Sequence, residues 1–214
     1  MPRSKTNVTD EVGQYLAHHS RQDDILARVE AETSTRDDAM MQITPDEGGL
    51  LTMLARLTGA RNALEVGTFT GYSAICIARG LADGGKLTCL ELQPEFAAIA
   101  RQNVEAAALQ DKVTIEVGPA DEALRAMPEA PTFDFVFLDA DKQGYPAYYD
   151  LIVPRLTRGG LLLLDNTLLG GRVTDPQDDR SRLIDQLNGR IARDERVDSV
   201  MTLVADGLTL VRRR

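Results

Sequence analysis

Five short apolar runs punctuate the chain from residue 62 onward: "NALEVG", "KLTCLEL", "KVTIEVG", "FDFVFLD" and "GLLLLD". Each is too short for an ordinary helix, is apolar on both faces and is bounded by Gly or an acid, as buried parallel strands are. Helical stretches separate them. The segment from Pro94 to Ala108 opens with Pro at a first-turn position and is rich in Ala, a strong helix former. Leu183, Ile184, Leu187 and Ile191 recur at helical spacing and predict one apolar face. Strand–helix alternation with right-handed crossovers predicts a doubly wound α/β sheet.

Two regions depart from that alternation. Residues 9–58 read as helices, and "TPDEGGLLTMLARL" carries the signature of a helix start. Thr44 is placed to cap, Pro45 to take the first turn, and Glu47 to close a capping box with Thr44. At the other end, "VMTLVADGLTLVRRR" reads as two strands around Ala-Asp-Gly, so the sheet is expected to finish with an antiparallel pair. With 214 residues the chain is expected to be one domain. Its helical part is residues 1–58 and its α/β core residues 59–214.

Composition narrows the partners. Apolar residues make up 43% and charged residues 27%, values of an ordinary soluble protein. A net charge of -9 without a basic stripe argues against nucleic acid as the main partner. It is compatible with a positively charged small ligand. No apolar run approaches the roughly 18 residues of a membrane span, and "MPRSKTNVTDEVGQYL" lacks the apolar core of a secretory signal. Cys76 and Cys89 sit in apolar surroundings without metal-type spacing and are expected to be reduced core thiols, which points to the cytoplasm.

The first candidate site follows the first strand. In "LEVGTFTGYSA", Gly67 and Gly71 stand where a strand turns into a helix and where a ligand approaches backbone. Thr70 and Ser73 offer hydroxyls, and Glu65 precedes the turn. Glu91 ends the second strand, where an acid accepts both hydroxyl protons of a ribose. The loop lacks the middle glycine of a pyrophosphate fingerprint and adds an acid. That substitution favours a nucleoside with a cationic centre, such as S-adenosylmethionine, over a dinucleotide.

The second candidate site lies at the ends of two later strands. In open α/β sheets the ligand crevice lies at the carboxyl ends of the strands. Asp139 and Asp165 occupy those ends, and Asn166 follows at once. Adjacent strands are about 4.8 Å apart, so two carboxylates and an amide oxygen can converge. Hard oxygen donors favour Mg²⁺, with Mn²⁺ or Ca²⁺ as alternatives, over zinc. Such an Asp is also an ordinary helix cap, and Asn166 an ordinary turn residue. Lys142 reads either as a loop surface lysine or as a base beside the cation. His18 and His19 have no evident ligand partner and read as surface or hinge residues.

Taken in order, "LEVGTFTGYSA", "LEL", "VGPA", "FLDADKQGY" and "LLLLDNTL" resemble the cation-dependent small-molecule O-methyltransferases of the caffeoyl-CoA and catechol type. The likeness runs from "MQITPDEG" to "DGLTLVRR". It implies a Rossmann-like, seven-stranded class I S-adenosylmethionine-dependent methyltransferase fold. That fold is mostly parallel, with an antiparallel C-terminal strand and extra N-terminal helices. It also implies a homodimer, with residues 1–58 contributing to the acceptor site and the dimer. Carried over by position, the cofactor-binding residues are Gln42, Glu65, Gly67, Thr68, Ser73, Glu91, Ala120 and Asp141. The metal ligands are Asp139, Asp165 and Asn166, and the catalytic positions are Lys142, the general base of the family, and Asp139. The acceptor implied is a catechol-type small molecule. Two departures leave its identity open. Leu169 and Gly170 stand where the plant caffeoyl-CoA enzymes carry Trp and Asn, and Ala140 and Asp141 stand where the catechol enzymes carry bulky aromatics.

Two other readings use the same residues. A metal-dependent glycosyltransferase would use Asp139-Ala140-Asp141 as a DxD element, although Glu65 before the glycine turn and Asp165-Asn166 on the next strand do not suit it. A non-catalytic S-adenosylmethionine-binding domain would need no Lys142.

Overall fold

The computed structural model describes residues 9–214; the first eight positions of the N-terminal stretch read above for a secretory signal lie outside the described residues. Four helical pieces come first: α1 (Asp10–His19), α2 (Asp24–Ser34), a 3-10 turn (Ala39–Met41) and α3 (Pro45–Thr58). The alternating core follows as β1 (Asn62–Val66), α4 (Tyr72–Gly80), β2 (Lys86–Glu91), α5 (Pro94–Ala106), β3 (Val113–Val117), α6 (Ala120–Ala126), β4 (Phe133–Leu138), α7 (Tyr145–Ile152) and β5 (Leu156–Leu164). A 3-10 segment (Leu169–Thr174), α8 (Asp179–Ile191) and the hairpin β6 (Val197–Thr202) and β7 (Leu208–Arg213) complete it. Among the described residues no helix is long and apolar enough to cross a membrane.

The seven strands form one sheet in the order β3-β2-β1-β4-β5-β7-β6. The first five strands pair in parallel, and β7 runs antiparallel to both β5 and β6. The strand order reverses between β1 and β4, which is where such sheets open a ligand crevice. Side-chain alternation sorts the core into two layers. Ala63, Cys89, Phe135, Phe137, Leu161 and Leu163 face α3, α4 and α5. Leu64, Val66, Leu90, Val136, Leu138, Leu162 and Leu164 face α6, α7 and α8. On α8, Ile184, Leu187 and Ile191 make the buried face together with Ser181, and Leu183 is half-buried beside it.

This parity positions the site. Phe137 pairs with Leu163 and Leu138 with Leu164. One step further along both strands sets Asp139 beside Asp165, on the α3 side of the sheet. The ladder carries that step, since Asp139 N–H donates to Val66 C=O at 2.9 Å and Asp165 N–H to Leu138 C=O at 3.1 Å. Gly67 is held just as closely, with φ of 88°, and a Cβ there would fall 1.9 Å from the Asp139 carbonyl oxygen.

Two expectations need correction. Thr44 makes no side-chain capping bond to α3, so there is no capping box. Pro45 does open the helix, but Glu47 turns inward and is 1% exposed. Gly71 does not present backbone to a ligand. Its φ is 88°, and a Cβ would meet the Cα and Cβ of Ala100 at 3.1 Å, so it is small in order to let α4 pack on α5. Cys76 and Cys89 are free and buried, and burial pushes the Cys76 thiol up to about 12.

Candidate active site

A cavity of about 1020 Å³ opens at the carboxyl ends of β1, β2, β4 and β5. One end is built on the β1–α4 loop. Glu91 accepts from Thr68 N–H (3.0 Å) and Phe69 N–H (2.8 Å) on one oxygen, and from Gln93 N–H (2.9 Å) on the other. These bonds hold Phe69 at a φ of 49°, a strained value for a non-glycine residue. The Phe69 ring meets Phe96 edge-on at 4.9 Å. Gly67, Thr68, Ser73, Glu91, Ala120 and Asp141 all border the cavity, as does Gln42. The Gln42 side-chain oxygen, Oε1, is buried without a hydrogen-bond partner.

Glu65 stands apart from this set. It is fully buried, does not border the cavity, and accepts from the Thr68 hydroxyl at 2.8 Å. By strand alternation it points into the α4 layer beneath the loop. Burial pushes its carboxyl up to about 7, against the pull of neighbouring hydroxyls. It therefore supports the loop from below rather than touching what the loop holds. Asp141 has a shaping role as well as a place on the wall. It accepts from Gly144 N–H (2.8 Å) and from the Tyr148 hydroxyl (2.7 Å), which turns the chain into α7.

The other end of the cavity is acidic. Asp139, Asp165, Asn166, Lys142 and Glu47 all border it. Neither aspartate caps a helix: Gly144 precedes α7, and Leu168 precedes the 3-10 segment. Asn166 has a φ of 52°, and its N–H donates to Asp165 Oδ1 at 2.6 Å. Burial raises the Asp165 carboxyl, and the nearby Asp139 charge raises it further. Glu47 is pushed up as well, first by burial and then by the Asp165 and Asp139 charges. Lys142 is buried, not a surface lysine. Its Nζ donates to Asp139 Oδ1 at 2.9 Å and to the Tyr145 hydroxyl, and it lies 4.4 Å from the Tyr145 ring centroid. Tyr145 is fully buried and donates to the backbone carbonyls of Leu138 and Asp165, each at 3.0 Å. That hydroxyl ties the ends of β4 and β5 together under the amine.

The donors at this end are all oxygen. Among the described residues no three Asp, Glu, His or Cys side chains gather as a metal-holding group. The set on offer is the pair of aspartates with the Asn166 amide. Hard divalent cations take such donors, and a cation would offset the charge that holds these carboxyls up. The residues present fit that group. His18 and His19 are exposed on α1, away from it.

Comparison with known proteins decides the class. The family model of the O-methyltransferases matches residues 16–214. The chain belongs to this O-methyltransferase family. Among its relatives is a caffeoyl-CoA O-methyltransferase of Petroselinum crispum, 34% identical over 220 residues, with 96% of this chain and 91% of that protein covered. Tricin synthase 2 of Oryza sativa subsp. japonica is 35% identical over 207 residues, covering 91% of this chain and 71% of that protein. Among solved structures, the O-methyltransferase from Bacillus cereus in complex with SAH has a TM-score of 0.86 at 33% identity, with 95% of this chain and 97% of that one covered. TomG from Streptomyces achromogenes, in complex with SAM, has a TM-score of 0.83 at 31% identity over 95% and 96% of the two chains. The methyltransferase is thus an S-adenosylmethionine-dependent enzyme with the mixed seven-stranded sheet of its class.

Several cavity residues of this methyltransferase carried no signal in the sequence motifs. Phe96 and Leu92 line the cavity from α5 and the end of β2, and Met40, Met41 and Arg180 border it as well. An exposed Leu92 directly after Glu91 was the one local clue, since a large apolar side chain there is otherwise unsheltered.

Proposed function

We propose that the enzyme transfers a methyl group from S-adenosylmethionine to one hydroxyl of a catechol-type small molecule, with a divalent cation bound between the two sites. The observation that supports this reading is the acid end itself: Asp139, Asp165 and Asn166 border the same cavity as the Glu91 loop, and Asp139 accepts from the buried amine of Lys142. Glu91 and the turn over Gly67 and Thr68, which Glu91 fixes, orient the ribose. Gln42, Ser73 and Asp141 receive the methionine part, Ala120 flanks the adenine, and Glu65 supports Thr68 from beneath. Asp139, Asp165 and Asn166 hold the cation, with Mg²⁺ the first choice and Mn²⁺ or Ca²⁺ as alternatives. When bound, that cation makes the acceptor hydroxyl more acidic and fixes its orientation. Lys142, held in place by Asp139 and Tyr145, is the side chain placed to take up the hydroxyl proton. Holding both reactants at fixed separation removes most of the entropic cost of their encounter.

On this reading residues 1–58 supply the acceptor-side wall, through Met40 to Thr44 and α3, and contribute to a homodimer. Residues 59–214 are the cofactor and cation core. The two buried free thiols suit a reducing cytoplasm.

The test is a comparison of kcat/KM for a catechol and its singly hydroxylated analogue, at saturating S-adenosylmethionine, with Mg²⁺ and after EDTA. Turnover of the catechol alone, lost in EDTA and restored by Mg²⁺, is the expected result. Equal values for the two acceptors, or full activity in EDTA, would remove the cation from the mechanism.

A further inference from the structure

Helix α3 delivers to the acid end a carboxylate that the motifs above do not use. Glu47 is 1% exposed, and neither of its carboxylate oxygens has a hydrogen-bond partner. It borders the cavity beside Asp139 and Asp165, with its side chain against Asp165. A carboxylate at that depth is costly unless something pairs with it. The side chain that the fold sets against it is Asp165, itself an acid that brings no positive charge. The place of Glu47 in the first turn of α3 puts it at the favourable end of the helix dipole, but that contribution is small beside the cost of burial. Lys142, the cation facing the same space, is engaged by Asp139 and Tyr145.

What would complete Glu47 is a cation or the water that a cation holds. Since no trio of acids gathers as a direct ligand group, the geometry points to the second possibility. We propose that Glu47 is a further cation-site residue: its carboxylate accepts hydrogen bonds from water on the divalent cation and offsets part of its charge, joining α3 to the ends of β4 and β5. This rests on the reading of Asp139, Asp165 and Asn166 as the cation's ligands. It has a structural consequence. The segment leading into α3, from Met40 to Thr44, walls the cavity, so cation binding also fastens that wall.

The experiment is Mn²⁺ titration, followed by electron paramagnetic resonance of the free ion, without S-adenosylmethionine or acceptor. It compares wild type, Glu47→Gln, Glu47→Ala and Asp165→Ala, with folding checked by circular dichroism. Both Glu47 variants should bind Mn²⁺ about 10–100-fold more weakly, the usual effect of removing a residue that supports a metal's ligands. The upward shift in Tm that Mn²⁺ gives the wild type should shrink in both. In EDTA, Glu47→Gln should melt close to wild type, because the amide has the shape of the acid and no N–H or hydroxyl donor of the fold is lost with it. Unchanged Mn²⁺ affinity in both Glu47 variants, with binding lost in Asp165→Ala, would overturn the role of Glu47 and leave the cation site standing. Absence of Mn²⁺ binding in the wild type would overturn the cation site itself, and this inference with it.

Discussion

The two ends of the cavity place carboxylates at similar depth and treat them in opposite ways. At the end built on the β1–α4 loop, Glu91 is 6% exposed and accepts from the N–H groups of Thr68, Phe69 and Gln93. At the acid end, Asp165 and Glu47 are as deeply buried, yet no N–H or hydroxyl of the fold reaches Glu47, and burial with the neighbouring acids pushes its carboxyl up. At the first end the chain supplies the donors itself, so the loop is complete within the fold. The second is unfinished: the chain gathers acids there and supplies no N–H or hydroxyl to Glu47. Burial of an acid therefore says little about its role until its donors are traced.

Removing one acid from the unfinished end separates the two most strongly. Asp165→Ala should lower methyl transfer by about 10²–10³-fold, the range for losing one preorganised electrostatic group. S-adenosylmethionine affinity, measured by calorimetry, should stay near the wild-type value. Parallel loss of activity and cofactor binding would show that the two ends act as one site.

At the complete end the effect should be smaller and should fall on binding. Glu91→Ala should weaken S-adenosylmethionine by about 1.5–3 kcal/mol, as expected for hydrogen bonds to a charged group. It should also lower Tm, because three backbone N–H groups lose their acceptor. An unchanged Kd would remove Glu91 from ribose recognition and leave it a loop support, like Glu65.

The smallest effect concerns Glu65 and is read from pH. Its folded pKa of about 7 lies above its ordinary value of 4.5. Between those values the folded state binds more protons than the unfolded state, so stability falls as pH rises through that window. Comparison of Tm from pH 4.5 to 7 in wild type and Glu65→Gln should show a shallower decline in the variant. Identical slopes would mean that the carboxyl is solvated or paired in solution.

Much of the fold was legible because it rests on local rules. The five apolar runs became β1 to β5, Pro94 opened α5, and the Ala-Asp-Gly segment became the turn between β6 and β7. Asp139 and Asp165 were legible as a pair because period-two alternation and strand ends are visible in a single chain. The misreadings share a cause. "TPDEG" satisfied the capping-box pattern, and Gly71 satisfied the ligand-loop pattern, but each position met a partner distant in sequence. For Gly71 it was Ala100 on α5; for Glu47 it was the acid end.

By itself, then, the sequence determined which segments are strands and helices, which acids end the strands and which residues share a face, because backbone geometry and side-chain alternation act over a few residues. Only the tertiary structure decided which carboxylates are satisfied. Glu65, Glu91 and Glu47 are the same side chain, yet one lies beneath the loop, one holds it, and one is left without a partner. Hydrogen-bond donors and burial depend on neighbours from elsewhere in the chain, and the pattern along one segment carries no record of them.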